Sequence, residues 1–200
     1  MTYLTGSKTP QAIKAMTLVG QHHQEIEYIR KDRNLTPEGK TKRIAATYLR
    51  YKRQVTKLEA EDKATRANQA DSLRRALFGL YGNSDPNALI SYRDAQDRVA
   101  AISSEEQALE LLDRADLSND EILAKAIVGK AAEAHWHNVV STYTATHPYF
   151  GEKLQELAEL NNADSSIEAV MNHAMSYTLS APSEVAHYSE GMLENLSNQA

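Results

Sequence analysis

Apolar side chains recur along this chain at intervals of three and four residues, which is the spacing of one face of an α-helix. Stretches in which apolar and polar residues alternate are few. Only eight Gly and five Pro interrupt the 200 residues, and the good helix formers Ala, Leu, Glu, Gln, Lys and Arg are abundant. The pattern therefore predicts an all-α protein.

Two helix-start signals at the front of the chain predict a helical hairpin. A Thr-Pro pair at 9–10 opens a helix that runs to about Asp32, because Thr is a good N-cap and Pro fits the first turn. A second Thr-Pro pair at 36–37 opens another helix. No strong breaker follows before Tyr81, so this second helix would span about 43 residues.

The long helix carries an apolar seam that fades in its middle. The seam follows the 4-3-4-3 spacing of a coiled coil. The same spacing then reaches the polar residues Asp62, Thr65 and Gln69, and it becomes apolar again from Leu73. We therefore expect the stretch 59–71 to be exposed. The first part of the seam consists of Ile44, Tyr48, Tyr51, Val55 and Leu58.

The back half of the chain has the pattern of several short helices. Ser103 with Glu106, and Ser118 with Glu121, have the spacing of capping boxes that start helices. Short connections between amphipathic helices favour an antiparallel bundle. The last three predicted helices cover 151–161, 165–179 and 183–196.

Charge is distributed unevenly along the chain, although the net charge is only −5. Residues 1–80 hold 16 Lys/Arg and 8 Asp/Glu, a net of +8, whereas residues 81–200 hold 6 and 19, a net of −13. Together with the helix pattern, this asymmetry predicts two domains. The first is a basic helical hairpin with the long helix over 1–82, and the second is an acidic antiparallel helical bundle over 83–200.

The long helix carries a stripe of cations on the side opposite its seam. Between residues 40 and 57 there are seven basic residues and no acidic one. Residues seven positions apart on this side are separated by about 10 Å along a helix. That spacing suits contact with a phosphate backbone or with an acidic protein surface. The predicted contact residues, called the basic stripe below, are Lys42, Arg43, Arg50, Arg53 and Lys57.

Three interpretations of the basic stripe remain open. It can contact nucleic acid through backbone phosphates, since no polar cluster accompanies it to read bases. It can bind an acidic protein surface, including the acidic half of this chain, or it can be an ordinary solvated helix face. Tyr48 and Tyr51 on the same helix are either half-buried core or a further contact surface, because Tyr is enriched at interfaces.

No motif indicates catalysis or a bound cofactor. The sequence has no Gly-x-Ser-x-Gly, no Gly-rich phosphate loop and no Cys. His23 with Glu27, and Glu184 with His187, have the spacing of metal ligands, but two ligands do not make a metal site. We therefore expect a non-enzymatic protein that holds no cofactor and no metal.

The sequence also predicts a cytoplasmic location and no membrane partner. No stretch approaches the roughly 18 apolar residues of a membrane span. The opening residues 1–4 have neither the basic nor the apolar segment of a signal peptide. A chain without Cys is compatible with a reducing compartment.

A series of helix-forming strings carries a family resemblance. In their order along the chain, over residues 35–160, they resemble helical proteins of tailed phages and prophages of actinobacteria. The resemblance implies a phage protein from the head-assembly region, with a scaffolding-type role in the host cytoplasm or the virion. One departure is that residues 151–200, with one Lys and eight Asp/Glu, lack the basic C-terminal segment of many scaffolding proteins. The strings are Leu35–Ile44, Asp94–Ala100, Ala108–Ala115 and Asp120–Ala126, followed by Trp136 and Tyr143–Pro148.

The leading functional hypothesis follows from this combination of features. It is a non-enzymatic phage structural or assembly protein that binds other proteins and associates with itself as a homo-oligomer. The alternative is a nucleic-acid-binding protein that uses the basic stripe for backbone contacts.

Attraction between a basic front and an acidic back predicts oligomers that salt dissociates. Raising the salt from about 50 mM to about 1 M shortens the screening length from over about 10 Å to about 3 Å. We expect the mass measured by light scattering to fall toward that of the monomer over this range. Oligomers of unchanged mass would contradict association driven by charge.

Overall fold

The computed structural model describes residues 9–80, 85–162 and 167–199. Within these ranges every regular element is an α-helix, so the prediction of an all-α protein is confirmed. The helices are α1 Pro10–Lys31, α2 Pro37–Phe78, α3 Pro86–Ala100, α4 Glu105–Leu117, α5 Glu121–Ala134, α6 His137–Thr146, α7 Pro148–Asn162, α8 Ile167–Tyr177 and α9 Glu190–Ser197.

The first two helices begin where the Thr-Pro pairs predict. The Thr9 side chain accepts a hydrogen bond from the backbone N–H of Ala12 at 3.2 Å. The Thr36 side chain accepts one from the backbone N–H of Gly39 at 3.1 Å. Each bond satisfies an N–H that has no partner inside the helix. From this start α2 is continuous for 42 residues.

The long helix α2 ends at Phe78, earlier than predicted. The backbone N–H of Gly79 donates a hydrogen bond to the carbonyl oxygen of Arg75 at 2.9 Å. A Cβ atom at position 79 would lie 2.5 Å from that same oxygen, so glycine is required at this helix end. The predicted last residue, Tyr81, lies outside the described residues.

Two helices in the back half begin one or two residues after the predicted capping boxes. Ser104, rather than Ser103, caps α4 by accepting a hydrogen bond from the backbone N–H of Gln107 at 3.4 Å. The Gln107 side chain in turn accepts one from the backbone N–H of Ser103 at 3.0 Å. Asp120 caps α5, because its carboxylate is better placed than the Ser118 hydroxyl, which bonds to carbonyls at the end of α4.

Two compact units make up the chain, and their division differs from the predicted one. Unit 1 contains residues 1–66 and 163–200, and unit 2 contains residues 67–162. The predicted division at 82/83 falls outside the described residues. The C-terminal residues that the sequence assigns to an acidic bundle belong instead to the unit that holds the N-terminal hairpin. The physical reason is that they complete the core of that unit.

The core of unit 1 is built by the hairpin and the C-terminal segment together. Val185 and Leu193 of the C-terminal segment are almost fully buried. They share one apolar cluster with α1 and α2, which contribute Ile26, Ile44 and Leu49 among others. A second cluster of the same unit joins α1, α2 and the end of α8, and it consists of Ala12, Ala15, Val55 and Tyr177.

The C-terminal segment contains less helix than predicted. The sequence predicts helices over 165–179 and 183–196, whereas α8 covers Ile167–Tyr177 and α9 begins only at Glu190. Residues 183–187 form a turn, in which the backbone N–H of Val185 donates to a carbonyl oxygen at 2.9 Å. This turn lets Val185 enter the core. Residues 165 and 166 lie outside the described ranges.

The seam of α2 is buried in its first part, and it continues through the middle as polar contacts. Asp62 is only 5% exposed, and the Nε of Arg66 lies 3.5 Å from its carboxylate. Farther along α2, Gln69 donates a hydrogen bond to Glu156 at 3.1 Å, and both residues belong to unit 2. Thr65 is exposed, as expected for the whole stretch 59–71. The expectation of a bare middle is therefore wrong at Asp62, because a buried ion pair replaces apolar packing there.

Unit 2 is a helical bundle around one large apolar cluster. Its central helix α5 packs against α3, α4 and α6. Ile127 of α5 and Val139 of α6 lie in this core, and both side chains are fully buried. Asn119 and His135 take left-handed backbone conformations, with φ of 52° and 60°, at the turns before and after α5. Such turns are short enough to reverse the chain between neighbouring helices.

Truncation of a core side chain in unit 2 should be costly. Ile127→Ala removes a fully buried side chain, so we expect a loss of about 2–5 kcal/mol in the free energy of unfolding. Urea denaturation followed by the fluorescence of Trp136, the single tryptophan, measures the effect in this unit. Leu117→Ala is the control, because Leu117 is 87% exposed and its loss should cost under about 0.5 kcal/mol. Equal costs at the two positions would contradict the packing.

Candidate interaction surfaces

Most of the basic stripe of α2 already has carboxylate partners within the chain. Lys42 pairs with Glu38 at 2.8 Å, and Lys57 pairs with Glu61 at 3.8 Å. Both pairs join residues four positions apart on α2, which is a common and weak arrangement on exposed helices. The ion pairs of Lys42 and Lys57 are therefore weak.

Arg50 of the basic stripe connects α2 to α1. Its guanidinium donates to both carboxylate oxygens of Glu25, at 2.6 and 2.7 Å. The Tyr51 hydroxyl donates to the same carboxylate at 3.1 Å, and the Thr47 hydroxyl donates to it at 3.4 Å. A single carboxylate of α1 thus accepts hydrogen bonds from three side chains of α2. These hydrogen bonds fix the register of the two helices in the hairpin.

Carboxylates of the C-terminal segment form ion pairs with further basic side chains of α2. Arg53 of the stripe pairs with Glu194 at 3.0 Å, and its neighbour Lys52 pairs with Glu190 at 3.1 Å. The acidic C-terminal part of the chain therefore lies on its own basic helix. Within the stripe itself, Arg53 is the residue that pairs with the acidic half of the chain, whereas the partners of Lys42, Arg50 and Lys57 lie on α1 and α2.

The same segment also pairs with α1. Arg30 donates two hydrogen bonds to the Glu184 carboxylate, at 2.7 and 2.8 Å, and a third to Glu27 at 2.6 Å. The Arg30 guanidinium lowers the pKa of Glu184 to about 2. This carboxylate is one half of the Glu184 and His187 pair with metal-ligand spacing. It is engaged by Arg30, and the centre of the His187 ring lies 4.2 Å from that of Tyr188, with the two rings tilted by 36°.

Arg43 is the exception in the basic stripe. Its side chain is exposed, and none of the ion pairs among the described residues involves it. A single free guanidinium offers one phosphate contact. A stripe of phosphate contacts would first require Arg50 and Arg53 to leave Glu25 and Glu194.

Tyr48 and Tyr51 lie in the interior of unit 1. Each side chain is 9% exposed, and Tyr48 belongs to the cluster that holds Val185 and Leu193. Of the two interpretations, the structure places both rings in the core and away from the surface that an interface would need. Burial, followed by the hydrogen bond to Glu25, raises the pKa of Tyr51.

His22 is a buried titratable group between these tyrosines. His22 is 2% exposed, and the centre of its ring lies 5.6 Å from that of Tyr51 and 6.0 Å from that of Tyr48. Neither ring nitrogen has a hydrogen-bond partner among the described residues. Burial lowers the pKa of His22, as do the charges of His23 and Arg30, while Glu25 acts in the opposite direction.

The helix α8 packs on one side and exposes an apolar face on the other. Its inner face packs against α1, where Ser176 and Tyr177 are buried, and His173 lies 3.3 Å from Glu59 of α2. The opposite face carries four apolar side chains that are each more than half exposed. This outer face of α8 consists of Ile167, Val170, Met171 and Met175, which are 82%, 54%, 59% and 66% exposed, together with the exposed Ala174.

Sequence reasoning missed both His22 and the outer face of α8, although both have a signal. The five outer residues follow the i, i+3, i+4, i+7, i+8 pattern of an apolar helix face. The inner residues include the polar His173 and Ser176, so the more apolar side of this amphipathic helix is the outer one. His22 lies seven residues after Ala15 and four before Ile26, which places it on the buried side of α1.

Metal clusters and membrane spans are the remaining kinds of candidate site. Over 9–80, 85–162 and 167–199 there is no group of three or more His, Asp or Glu side chains arranged to hold a metal ion. Among the described helices, none combines the length and the apolar character needed to cross a membrane.

Comparison of the chain with protein-family models finds no matching family. Comparisons with curated proteins and with solved structures likewise find no significant match. The function of these surfaces therefore has to be inferred from their own residues.

We predict that unit 1 loses stability as the pH falls below about 6.5, the ordinary pKa of His. Because the pKa of His22 is lowered in the folded state, the unfolded chain takes up the proton first. Each lower pH unit then costs at most about 1.4 kcal/mol until the folded pKa is reached. Above about pH 7 the ring is neutral in both states and adds no pH dependence.

The measurement is urea denaturation between about pH 8 and pH 5, followed by circular dichroism. His22→Leu should remove the contribution of this ring to the slope of stability against pH. His187→Leu is the control, because His187 is exposed in the same unit and its loss should leave the slope unchanged. A slope that is the same in all three proteins would refute the assignment.

Proposed function

We propose that this chain is a non-enzymatic structural or assembly protein of a tailed phage, which works through protein–protein contacts and self-association. The observation that carries the proposal is the outer face of α8. An amphipathic helix normally buries its apolar side, whereas the apolar side of α8 is the exposed one. Within the described residues α8 packs on one side only, and exposed apolar faces of this kind mark protein-binding surfaces.

The phage assignment rests on the resemblance of residues 35–160 to helical phage proteins. The expected places of work are the host cytoplasm and the virion. A scaffolding-type role suits a helical protein that exposes a binding face, because such proteins act by holding other chains together rather than by chemistry.

The charge distribution supports association through unit 1 rather than through opposite charges. Unit 1 holds 14 Lys/Arg and 12 Asp/Glu, a net of +2, whereas unit 2 holds 8 and 15, a net of −7. Two copies that meet at unit 1 therefore have little mutual repulsion. The contrast between the units is smaller than the contrast of +8 and −13 between residues 1–80 and 81–200. Charge alone is thus a weaker driving force than the sequence suggests.

Nucleic-acid binding by the basic stripe is the less favoured alternative. Phosphates would have to replace the carboxylates that already occupy Arg50 and Arg53. Arg43 alone supplies a free guanidinium among the described stripe residues. Binding of a random duplex at low salt that Arg43→Gln abolishes would favour this alternative over the proposal.

Self-association should depend on the centre of the outer face of α8. We expect the wild-type protein to exceed the monomer mass of 22.3 kDa in light scattering as its concentration rises. Met171→Glu places a charge in the apolar contact, and burying an unpaired charge is strongly unfavourable, so this variant should stay monomeric. This apolar contact should persist in high salt, and the expectation replaces the salt-sensitive association that the charge pattern of the sequence alone predicts.

The matched control is Leu117→Glu, which adds the same charge at an exposed leucine of unit 2. It should associate like the wild type. A wild-type protein that remains monomeric at every concentration would reject self-association, and an equal effect of both substitutions would show that charge, rather than the α8 face, controls it.

A further inference from the structure

We infer that two associated copies of this chain exchange their last segments, so that residues 183–197 of each copy cover the hairpin of the other. These residues are called the arm below. The inference rests on the proposed self-association, which brings two copies together, and it names a second surface and its occupant. The surface that the arm covers, called the arm site, consists of the apolar side chains of Ile26, Ile44 and Leu49 and of the cations Arg30, Lys52 and Arg53.

The arm and the arm site are complementary in charge. The arm has three Glu and no Asp, Lys or Arg. Each Glu pairs with a different cation of the hairpin, at N–O distances of 2.7, 3.1 and 3.0 Å. The arm of a second copy brings the same three carboxylates, so the site satisfies it as fully as its own arm. The pairs are Glu184 with Arg30, Glu190 with Lys52 and Glu194 with Arg53.

The apolar contact of the arm is equally specific. Val185 and Leu193 are 1% and 4% exposed, and they share a cluster with Ile26 and Ile44 of the hairpin. The site therefore requires two apolar side chains eight residues apart, with carboxylates beside them. A second copy meets this requirement by identity. Because the same contacts form before and after exchange, its cost is mainly the entropy of joining two chains.

The link before the arm is suited to act as a hinge. Residues 178–182, which join α8 to the arm, form no regular element, and Ser180 and Ala181 are exposed. A few such residues are enough to absorb the backbone changes of a hinge. The ion pairs of the arm are exposed and therefore weak. Release of the arm thus requires chiefly that Val185 and Leu193 leave the core, so we expect exchange to be slower than the encounter of two copies.

Cysteine cross-linking between different copies tests the exchange, because the chain has no Cys of its own. Arg53→Cys and Glu194→Cys place thiols on the two sides of one ion pair, where both native side chains are more than half exposed. After the two single variants are incubated together at high concentration, a short bismaleimide should give a linked dimer that contains one copy of each, as its intact mass shows. The yield should be several-fold above that of Arg53→Cys mixed with Leu117→Cys, the control for random collision at an exposed residue of unit 2.

The length of the link supplies a second test, which contact without exchange does not pass. Deletion of Ser180 and Ala181 should raise the dimer fraction in light scattering several-fold, because a shortened link strains the return of the arm to its own hairpin. Insertion of Gly-Ser after Ala181 should lower the dimer fraction, because a longer link relieves that strain.

Each outcome decides the inference. The double variant Arg53→Cys with Glu194→Cys, kept dilute, should link within single chains, and failure to do so would contradict the arm contact itself. If it links but the mixture of single variants stays at the control level, each arm remains on its own hairpin and exchange is overturned. Linked dimer that does not respond to link length indicates contact without exchange and overturns it as well.

Failure of the exchange is distinguishable from failure of the proposed function. A wild-type dimer in light scattering, without links in the mixture, overturns exchange while self-association stands on another surface. A wild-type monomer without links rejects both. Circular dichroism verifies that every variant keeps its helix content.

Discussion

The return of the C-terminal segment to the N-terminal hairpin is the contact on which the rest of unit 1 depends. Two packed helices leave apolar surface uncovered, and Val185 and Leu193 cover it by burial, which is the dominant stabilising term in folding. The ion pairs of Arg30, Lys52 and Arg53 form around this contact, where solvent keeps each of them weak. The neutralisation of the basic helix is thus a consequence of apolar packing rather than its cause.

Local signals in the sequence predict most of the helices but not the division into units. Thr9 and Thr36 start helices through bonds to residues three positions away, so the pattern contains both partners. The division into units depends instead on pairs such as Arg30 with Glu184, which are 154 residues apart. No local periodicity encodes which helix a distant segment will contact. The turn at 183–187 was missed for the same reason, because a tertiary contact of Val185 outweighs local helix propensity.

The candidate surfaces were predictable to different degrees. The charge pattern identified the cations of the basic stripe, but the partners of Arg50 and Arg53, which are Glu25 on α1 and Glu194 on the C-terminal segment, follow only from the fold. Tyr48 and Tyr51 were ambiguous because tyrosine suits both a core and an interface, and only neighbouring residues decide between them. The outer face of α8 is different, since its spacing was readable in the sequence. The sequence alone does not show that only the inner face of α8 is covered.

Unit 1 is discontinuous in sequence, and this makes the order of synthesis matter. All residues of unit 2 leave the ribosome before 163–199, so unit 2 can acquire its core while α1 and α2 still lack theirs. During that interval Ile26 and Ile44 remain uncovered, and exposed apolar surface of this kind attracts chaperones and promotes aggregation. A ribosome that stops early would therefore release a finished unit 2 attached to an open hairpin. Unit 1 is therefore the first unit to enter synthesis and the last whose core can be completed.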